Sequence, residues 1–395
     1  MISPHLEAAV PSPRDRQARL ATFAVYAVQG LSFATLLTQV AHLQDKHGLD
    51  TGALTILLLI VPVFAGVGSV SAGSIAARLG SKALLRVAQP AVAAAVVLAG
   101  LAPNVPLLVP ALLLFGVAVG AVDAGMNMQG VAVERRYGRA VLNGFHCLWS
   151  VLSLAGALWV SAVGDGLPLE AVMAIPMVLA VAGSLYAGPK LYTAAEEQVA
   201  PETATAGGRV PFRPILPLCL AMAFLYVGDA AVSNFSTVFM QDTMAADARV
   251  IPLAYAAYQA TTLLVRLAGD LAVRKYGPAS IVRLGGAIAT LGFLGIVAAP
   301  SQPLAVVAFG LTGVGLSVVA PQSFSAAGKL DPAGTGNAIA LVNLFNYVGF
   351  IVGSALVGAI AEAADMRVAF AAPLVLAAAI ILLARGFAPR VRAGA

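Results

Sequence analysis

Asp123 is the residue from which the chemistry of this chain is best read. It stands inside a long apolar run, eleven positions before Glu134, so a helix would place it about 16 Å from the charged end of that run. A carboxylate at such depth in a membrane is costly; it normally faces a cavity or a partner and often moves a proton or an ion. Asn127 follows one helical turn later on the same face. Asp229 lies about fifteen residues into the seventh apolar run, in LYVGDAAVSNF, with Tyr226 and Asn234 nearby, and from the other half of the chain it could face Asp123 across a central cavity. His146, in NGFHCLWS, titrates near neutral pH and so is suited to relay a proton. Asp123, Asp229 and His146 form the expected coupling set. The plainer alternative is structural for each: a carboxylate or imidazole bonded to a neighbouring span, or polar glue between helices.

Other polar side chains interrupt the apolar runs. Gln29, Asn127, Tyr226, Asn234, Gln259, Gln322, Asn343, Asn346 and Tyr347 are candidates to line a substrate path, and Gln39 is a further intramembrane amide. Arg266 and Asp270 are four residues apart, a spacing that lets them neutralise each other on one helix. Together with Arg78, Glu134 and Arg135 they form an expected cytoplasmic gate. Charges at helix ends are also simply solvated, and a buried pair without a gating role is the competing reading.

These residues require a frame, and composition supplies it. Of 395 residues, 60% are hydrophobic and 10% charged, with a mean hydropathy of +0.90. A water-soluble chain could not bury so much apolar surface. Apolar stretches near 19–42, 51–77, 83–102, 106–132, 141–163, 168–190, 214–241, 250–273, 281–299, 303–327, 335–361 and 367–387 are each long enough to cross a hydrocarbon core of about 30 Å. With lipid as solvent, their backbone groups must pair within helices. The fold class is therefore an all-α membrane protein of twelve transmembrane helices.

The net charge of +5 is topological, and no nucleic-acid partner is expected. Arg14, Arg16, Arg19, Arg78, Lys82, Arg86, Arg135, Arg136, Arg139, Lys190, Arg209, Arg213, Arg274, Lys275, Arg283, Lys329, Arg385, Arg390 and Arg392 fall at alternate ends of the spans, against Lys46, Arg249 and Arg367 on the other side. That bias places both termini in the cytoplasm of a multi-pass inner-membrane protein. Residues 1–18 are polar and the first apolar run is too long for a cleaved leader, so no signal peptide is expected. Cys147 and Cys219 are the only cysteines, and their number and spacing suggest neither a disulfide framework nor a metal cluster.

Residues 192–212 read as a flexible cytoplasmic linker rich in Glu, Ala, Thr, Pro and Gly. It divides the chain into an N-terminal six-helix bundle, 1–191, and a C-terminal one, 213–395. The two are related in sequence: Gly73 and Gly269 lie 196 positions apart, as do Arg78 and Arg274, and FGVAVGAVDA (115–124) parallels FGLTGVGLSV (309–318). Duplicated six-span halves are typical of secondary transporters, whose site lies between the halves near mid-bilayer. Gly116 with Gly120, and Gly349 with Gly353, supply G-x-x-x-G spacings for close helix contact. There is no Walker A loop, no HExxH and no serine elbow. An enzyme is not expected and no cofactor is called for; uphill work must draw on an ion gradient or a partner protein.

Several segments resemble the major facilitator superfamily, and within it the fucose:proton symporter and YbjJ-like branch. They are DAGMN (123–127), VERRYGR (133–139), the FH at 145–146, RLAGD (266–270), GLSVVAPQSFSAAG (315–328) and NYVGFIVGSALVG (346–358). The resemblance covers nearly the whole chain. It implies two bundles rocking about a central cavity, with the fourth-span carboxylate of the symporters, followed four positions later by Asn, taking part in proton coupling; Asp123 and Asn127 match that pattern. The chain departs from its relatives elsewhere. Ala34 stands where a first-span acid is expected, Leu36 and Gln39 replace a Trp and an Arg, and Asn234 and Phe235 alter the seventh-span motif ending at Ser236. Ala77 replaces the Asp before Arg78 in the cytoplasmic loop.

The expected activity is proton-coupled secondary transport of a small polar organic solute, sugar-like or a metabolite, by alternating access. A proton-driven metabolite or drug exporter and an uncoupled facilitator or lipid flippase are the alternatives, with a non-transporting sensor on the same scaffold as a third. The expected partners are the solute, the proton and the lipid bilayer, and the protein is expected to be a monomer.

Overall fold

The computed structural model describes residues 11–49, 51–163, 166–197, 212–247, 250–331 and 334–388. Residues 198–211 of the expected linker, and Arg209, Arg249, Arg390 and Arg392 of the charge pattern, lie outside the described residues.

Twelve long helices follow one another: α1 Pro13–Leu37, α2 Thr51–Leu79, α3 Ser81–Leu101, α4 Val105–Tyr137, α5 Leu142–Val163, α6 Leu169–Ala187, α7 Phe212–Val238, α8 Leu253–Tyr276, α9 Pro278–Ala298, α10 Gln302–Leu316 continued by Val319–Lys329, α11 Asn337–Ala363 and α12 Met366–Leu383. Eleven are long and apolar enough to span a membrane. The remaining one, α8, is long enough at 24 residues but carries Arg266, Asp270, Arg274 and Lys275.

Local chemistry sets the helix starts. Ser12 and Asp15 close a capping box on α1, with Pro13 at its first position. Asn104 and Asp365 accept from backbone N–H groups in the first turns of α4 and α12. The duplicated glycines after α2 and α8 share one conformation: Gly80 has φ 80° and ψ 156°, Gly277 φ 79° and ψ 157°. A side chain would strain that geometry, which explains why glycine recurs at both sharp reversals.

Each bundle repeats the same packing. In the first, α2 packs on α4, α1 on α5, and α3 on α4 and α6; in the second, α8 packs on α10, α7 on α11, and α9 on α10 and α12. The G-x-x-x-G expectations are met at α2–α4 and α7–α11. A Cβ on Gly120 would come within 1.9 Å of the Ala65 carbonyl oxygen, and one on Gly353 within 2.6 Å of the Val227 Cα. Phe239, Phe309 and Phe370 fill the second bundle with ring centroids 5.5–5.8 Å apart. Leucines such as Leu264, Leu267 and Leu271 remain exposed on the outer surface of α8, as a lipid-facing wall requires.

The bundles meet mainly through α2 against α11 and α5 against α8. Among the described residues, every hydrogen bond between them lies level with Asp123 or on the side of the linker. The halves are thus fastened on the linker face.

Candidate functional site

Asp123 is where the bundles meet at depth. Its Oδ1 accepts from Gln29 Nε2 of α1 at 2.9 Å, and its Oδ2 from the Tyr347 hydroxyl of α11 at 2.5 Å. One oxygen therefore belongs to its own bundle and the other to the opposite one. Gln29 is buried, whereas Asp123 keeps partial exposure. Asn127, one turn along, donates to the Asp123 carbonyl oxygen at 2.8 Å. Its own Oδ1 accepts from the Tyr26 hydroxyl at 2.8 Å and lies 3.2 Å from His146 Nε2. The His146 ring stacks on Phe324 of the second bundle with centroids 6.1 Å apart. Asn127 thus joins His146 to the helical turn that carries Asp123. Tyr26 completes this group, although it resembles an ordinary core aromatic in the sequence.

Asn343 lies one turn from Tyr347 on α11 and donates to Ser69 Oγ of α2 at 3.0 Å, while Ser69 donates to the Ala340 carbonyl at 3.0 Å. Gln322 is buried in the lower part of α10 and Asn346 is half-buried. Asn234 is exposed and bonded to Ser354 of α11 at 2.8 Å. Gln259 is exposed on α8, on the helical face it shares with Tyr255, Thr262 and Arg266.

Asp229 belongs to a separate cleft inside the second bundle rather than to the Asp123 group. The Tyr258 hydroxyl donates to its Oδ1 at 2.5 Å. Tyr226, Thr262, Arg266 and Ser317 complete the lining of this cleft. Arg266 reaches across to the first bundle, where its Nη1 donates to Ser150 Oγ at 2.6 Å.

The linker face is closed at the N-terminus of α5. A helix start leaves its first backbone N–H groups without intrahelical partners, and here two carboxylates take them. Glu134 accepts from Val141 and Leu142 at 3.0 and 3.4 Å. Asp270 of α8 accepts from Asn143 and Gly144 at 3.0 Å each, and from Asn143 Nδ2 at 2.9 Å. Both negative charges lie against the positive end of the helix dipole. Glu134 also accepts from Ser325 of α10, and Arg135 donates to the Gly328 carbonyl at 3.1 Å. Arg274 donates to the Ala140 carbonyl. Of the expected gate, Glu134, Arg135 and Asp270 gather here. The expected Arg266–Asp270 pair is replaced, because α8 packs on α5 and each side chain bonds across to it; among the described residues no ion pair joins the two. Arg78 is exposed at the end of α2 and bonds to none of the described residues.

A polar cluster that the sequence did not signal lies just behind this clasp. Gln129 of α4 donates to Ser81 Oγ, the Tyr192 carbonyl and Glu197 Oε1 at 2.9, 3.0 and 2.7 Å, and accepts from the Tyr192 N–H at 3.0 Å. Ser81 donates to Glu197 through both its hydroxyl and its N–H. Burial pushes the Glu197 carboxyl up to about 7, against the opposing pull of these donors. Glu196, one residue earlier, is held down to about 2, chiefly by the Arg14 guanidinium bonded to it. The first residues of the expected linker, Tyr192 to Glu197, are therefore docked on the first bundle. Arg135 ties this strap to the clasp by donating to the Glu197 carbonyl at 3.2 Å.

The comparisons with known proteins agree with this architecture. The model of the Major Facilitator Superfamily matches residues 20–332 and again 218–395. An uncharacterized MFS-type transporter of Yersinia pestis is 30% identical over 374 residues, covering 93% of this chain and 95% of that one. The uncharacterized transporter y4wD of Sinorhizobium fredii is 29% identical over 365 residues, covering 91% and 95%. Among solved structures, the MFS transporter FucP in the outward conformation superposes with a TM-score of 0.77 at 14% identity, covering 94% of this chain and 98% of FucP. The chain belongs to the Major Facilitator Superfamily. It is a multi-pass membrane transporter and not an enzyme.

Proposed function

We propose that this transporter couples the passage of a small polar organic solute to protons by alternating access, in the inner membrane with its linker face in the cytoplasm. The observation that carries the reading is the pair of bonds at Asp123, one to Gln29 within its bundle and one to Tyr347 across the divide. An ionised Asp123 accepts two strong hydrogen bonds and ties the bundles together. Protonation removes the charge from both bonds at once, so the tie between α4 and α11 depends on proton occupancy. His146, through Asn127, and Asp229 modulate that exchange. The solute occupies the cleft lined by Tyr226, Asp229 and Arg266, from which Arg266 reaches the first bundle at Ser150. The solute and proton sites thereby open to each face in turn.

In liposomes, Asp123→Asn is expected to keep solute exchange at equal concentrations and to lose accumulation driven by a pH gradient. Uphill, gradient-driven accumulation by the Asn variant overturns the reading.

A further inference from the structure

The cleft in the second bundle has more charge than a neutral solute would use. Asp229 and Tyr258 form one end and Arg266 with Ser317 the other, with Thr262 one turn from each on α8. Tyr258 and Arg266 are eight residues apart, about 12 Å along the helix axis. Among the described residues neither Asp229 nor Asp270 forms an ion pair with Arg266.

The state of the Arg266 guanidinium is specific. Nη1 is engaged by Ser150, whereas Nε is buried with no hydrogen-bond partner and Nη2 makes no bond to the described residues. Nε is enclosed by protein atoms, so Nη2 is the guanidinium donor left open to a carboxylate in the cleft that Arg266 lines. A cation left unpaired in a spanning helix is costly, and so is a buried N–H without an acceptor. A ligand anion at Nη2 relieves the first. At the other end, Asp229 Oδ1 is taken by Tyr258 while Oδ2 is bonded to none of the described residues, leaving an acceptor for a donor on the ligand.

We infer that the solute carries a carboxylate, held by the free Nη2 of Arg266, and at its far end a hydroxyl or amine donor, held by Asp229. This rests on the transport reading above and narrows its substrate class from polar solutes in general to hydroxy- or amino-acids. A neutral sugar would satisfy Asp229 and leave Arg266 uncompensated; a cationic sugar would add repulsion at Arg266.

Purified transporter can be tested with three probes on one six-carbon skeleton: gluconate, glucose and glucosamine, extended by shorter hydroxy- and amino-carboxylates. A bound probe raises the melting temperature by mass action. Carboxylate probes are expected to raise it by a few degrees and the neutral and cationic ones not to. Arg266→Gln is expected to abolish the rise and Arg266→Lys to keep part of it. Should the variants misfold, phenylglyoxal labelling of the wild type reads the same contact, with Arg266 protected by gluconate and not by glucose. A rise with none of the carboxylates, an equal rise with glucose, or undiminished labelling of Arg266 under gluconate overturns the inference. These measurements use no gradient, so they fail or succeed independently of proton coupling at Asp123.

Discussion

Asp270 accepts the backbone N–H of Gly144 at 3.0 Å, so a carboxylate of the second bundle caps a helix of the first. In the proposed transport cycle this bond is made while the linker face is shut and is lost when opening separates α8 from α5. Asp270→Asn removes the charge facing the helix dipole and leaves one acceptor where two served. A charged cap is worth about 1–2 kcal/mol, enough to move a two-state balance by roughly 5–30-fold. Spin labels at Arg139→Cys and Lys329→Cys, both exposed on this face, are expected to show a larger long-distance population in the variant. An unchanged distance distribution would count against the cap as a closing element.

Gln129 satisfies three acceptors and one donor in a buried space. Gln129→Leu removes all four bonds and leaves the Glu197 carboxyl short of a partner, at a cost of about 1–3 kcal/mol for each stranded group. The strap from Tyr192 to Glu197 is expected to detach. Limited proteolysis should cut after Lys190 faster in the variant than in wild type, with the membrane core intact in both.

Glu197 also gives a pH signature. Its pKa in the folded protein, about 7, lies above the ordinary carboxyl value of 4.5, so between those values the folded state binds more protons than the unfolded one. Stability therefore falls as pH rises from about 4.5 to about 7 and levels off above. Glu196, held near 2, acts oppositely: its contribution is complete above 4.5 and fades as pH falls towards 2. Glu197→Gln is expected to flatten the melting-temperature profile between pH 5 and 7, while the acid-side loss remains. A wild-type profile already flat over that interval would refute the assignment.

Gly353 brings α11 against the backbone of α7. Gly353→Leu forces the helices apart in a contact that cannot yield, and overpacking of this kind costs about 1–3 kcal/mol or more. The variant is expected to lose monodispersity in detergent, whereas Leu at the exposed position Ala363 should be tolerated.

Much of this architecture is legible in the sequence because lipid imposes it. Apolar run lengths give the spans, and a carboxylate such as Asp123 stands out because so few groups of its kind are allowed there. Its partners were readable as a class, since Gln29 and Tyr347 are polar residues in apolar runs, but no spacing rule pairs positions 94 and 224 residues apart. Arg266 and Asp270 illustrate the reverse: their four-residue spacing predicts a local pair, yet packing of α8 on α5 offers each a better partner across the divide. Gln129 and Tyr26 escaped notice for different reasons. One is an amide whose partners are brought by a loop and a linker, and the other is an aromatic indistinguishable by type from core filler. The break in α10 at Ser317 and Val318 is announced by Pro321, which has no N–H for the Ser317 carbonyl and whose ring crowds it, but so many spans here carry a proline that its presence alone does not mark one as broken.

That break makes the duplicated halves mechanically unequal. The fourth helix runs uninterrupted from Val105 to Tyr137, while its counterpart is interrupted between Leu316 and Val319. Ser325 and Gly328, which meet Glu134 and Arg135, ride below that break, while Phe309 packs above it; in the proposed cycle the break is where the seal is expected to part from the aromatic core.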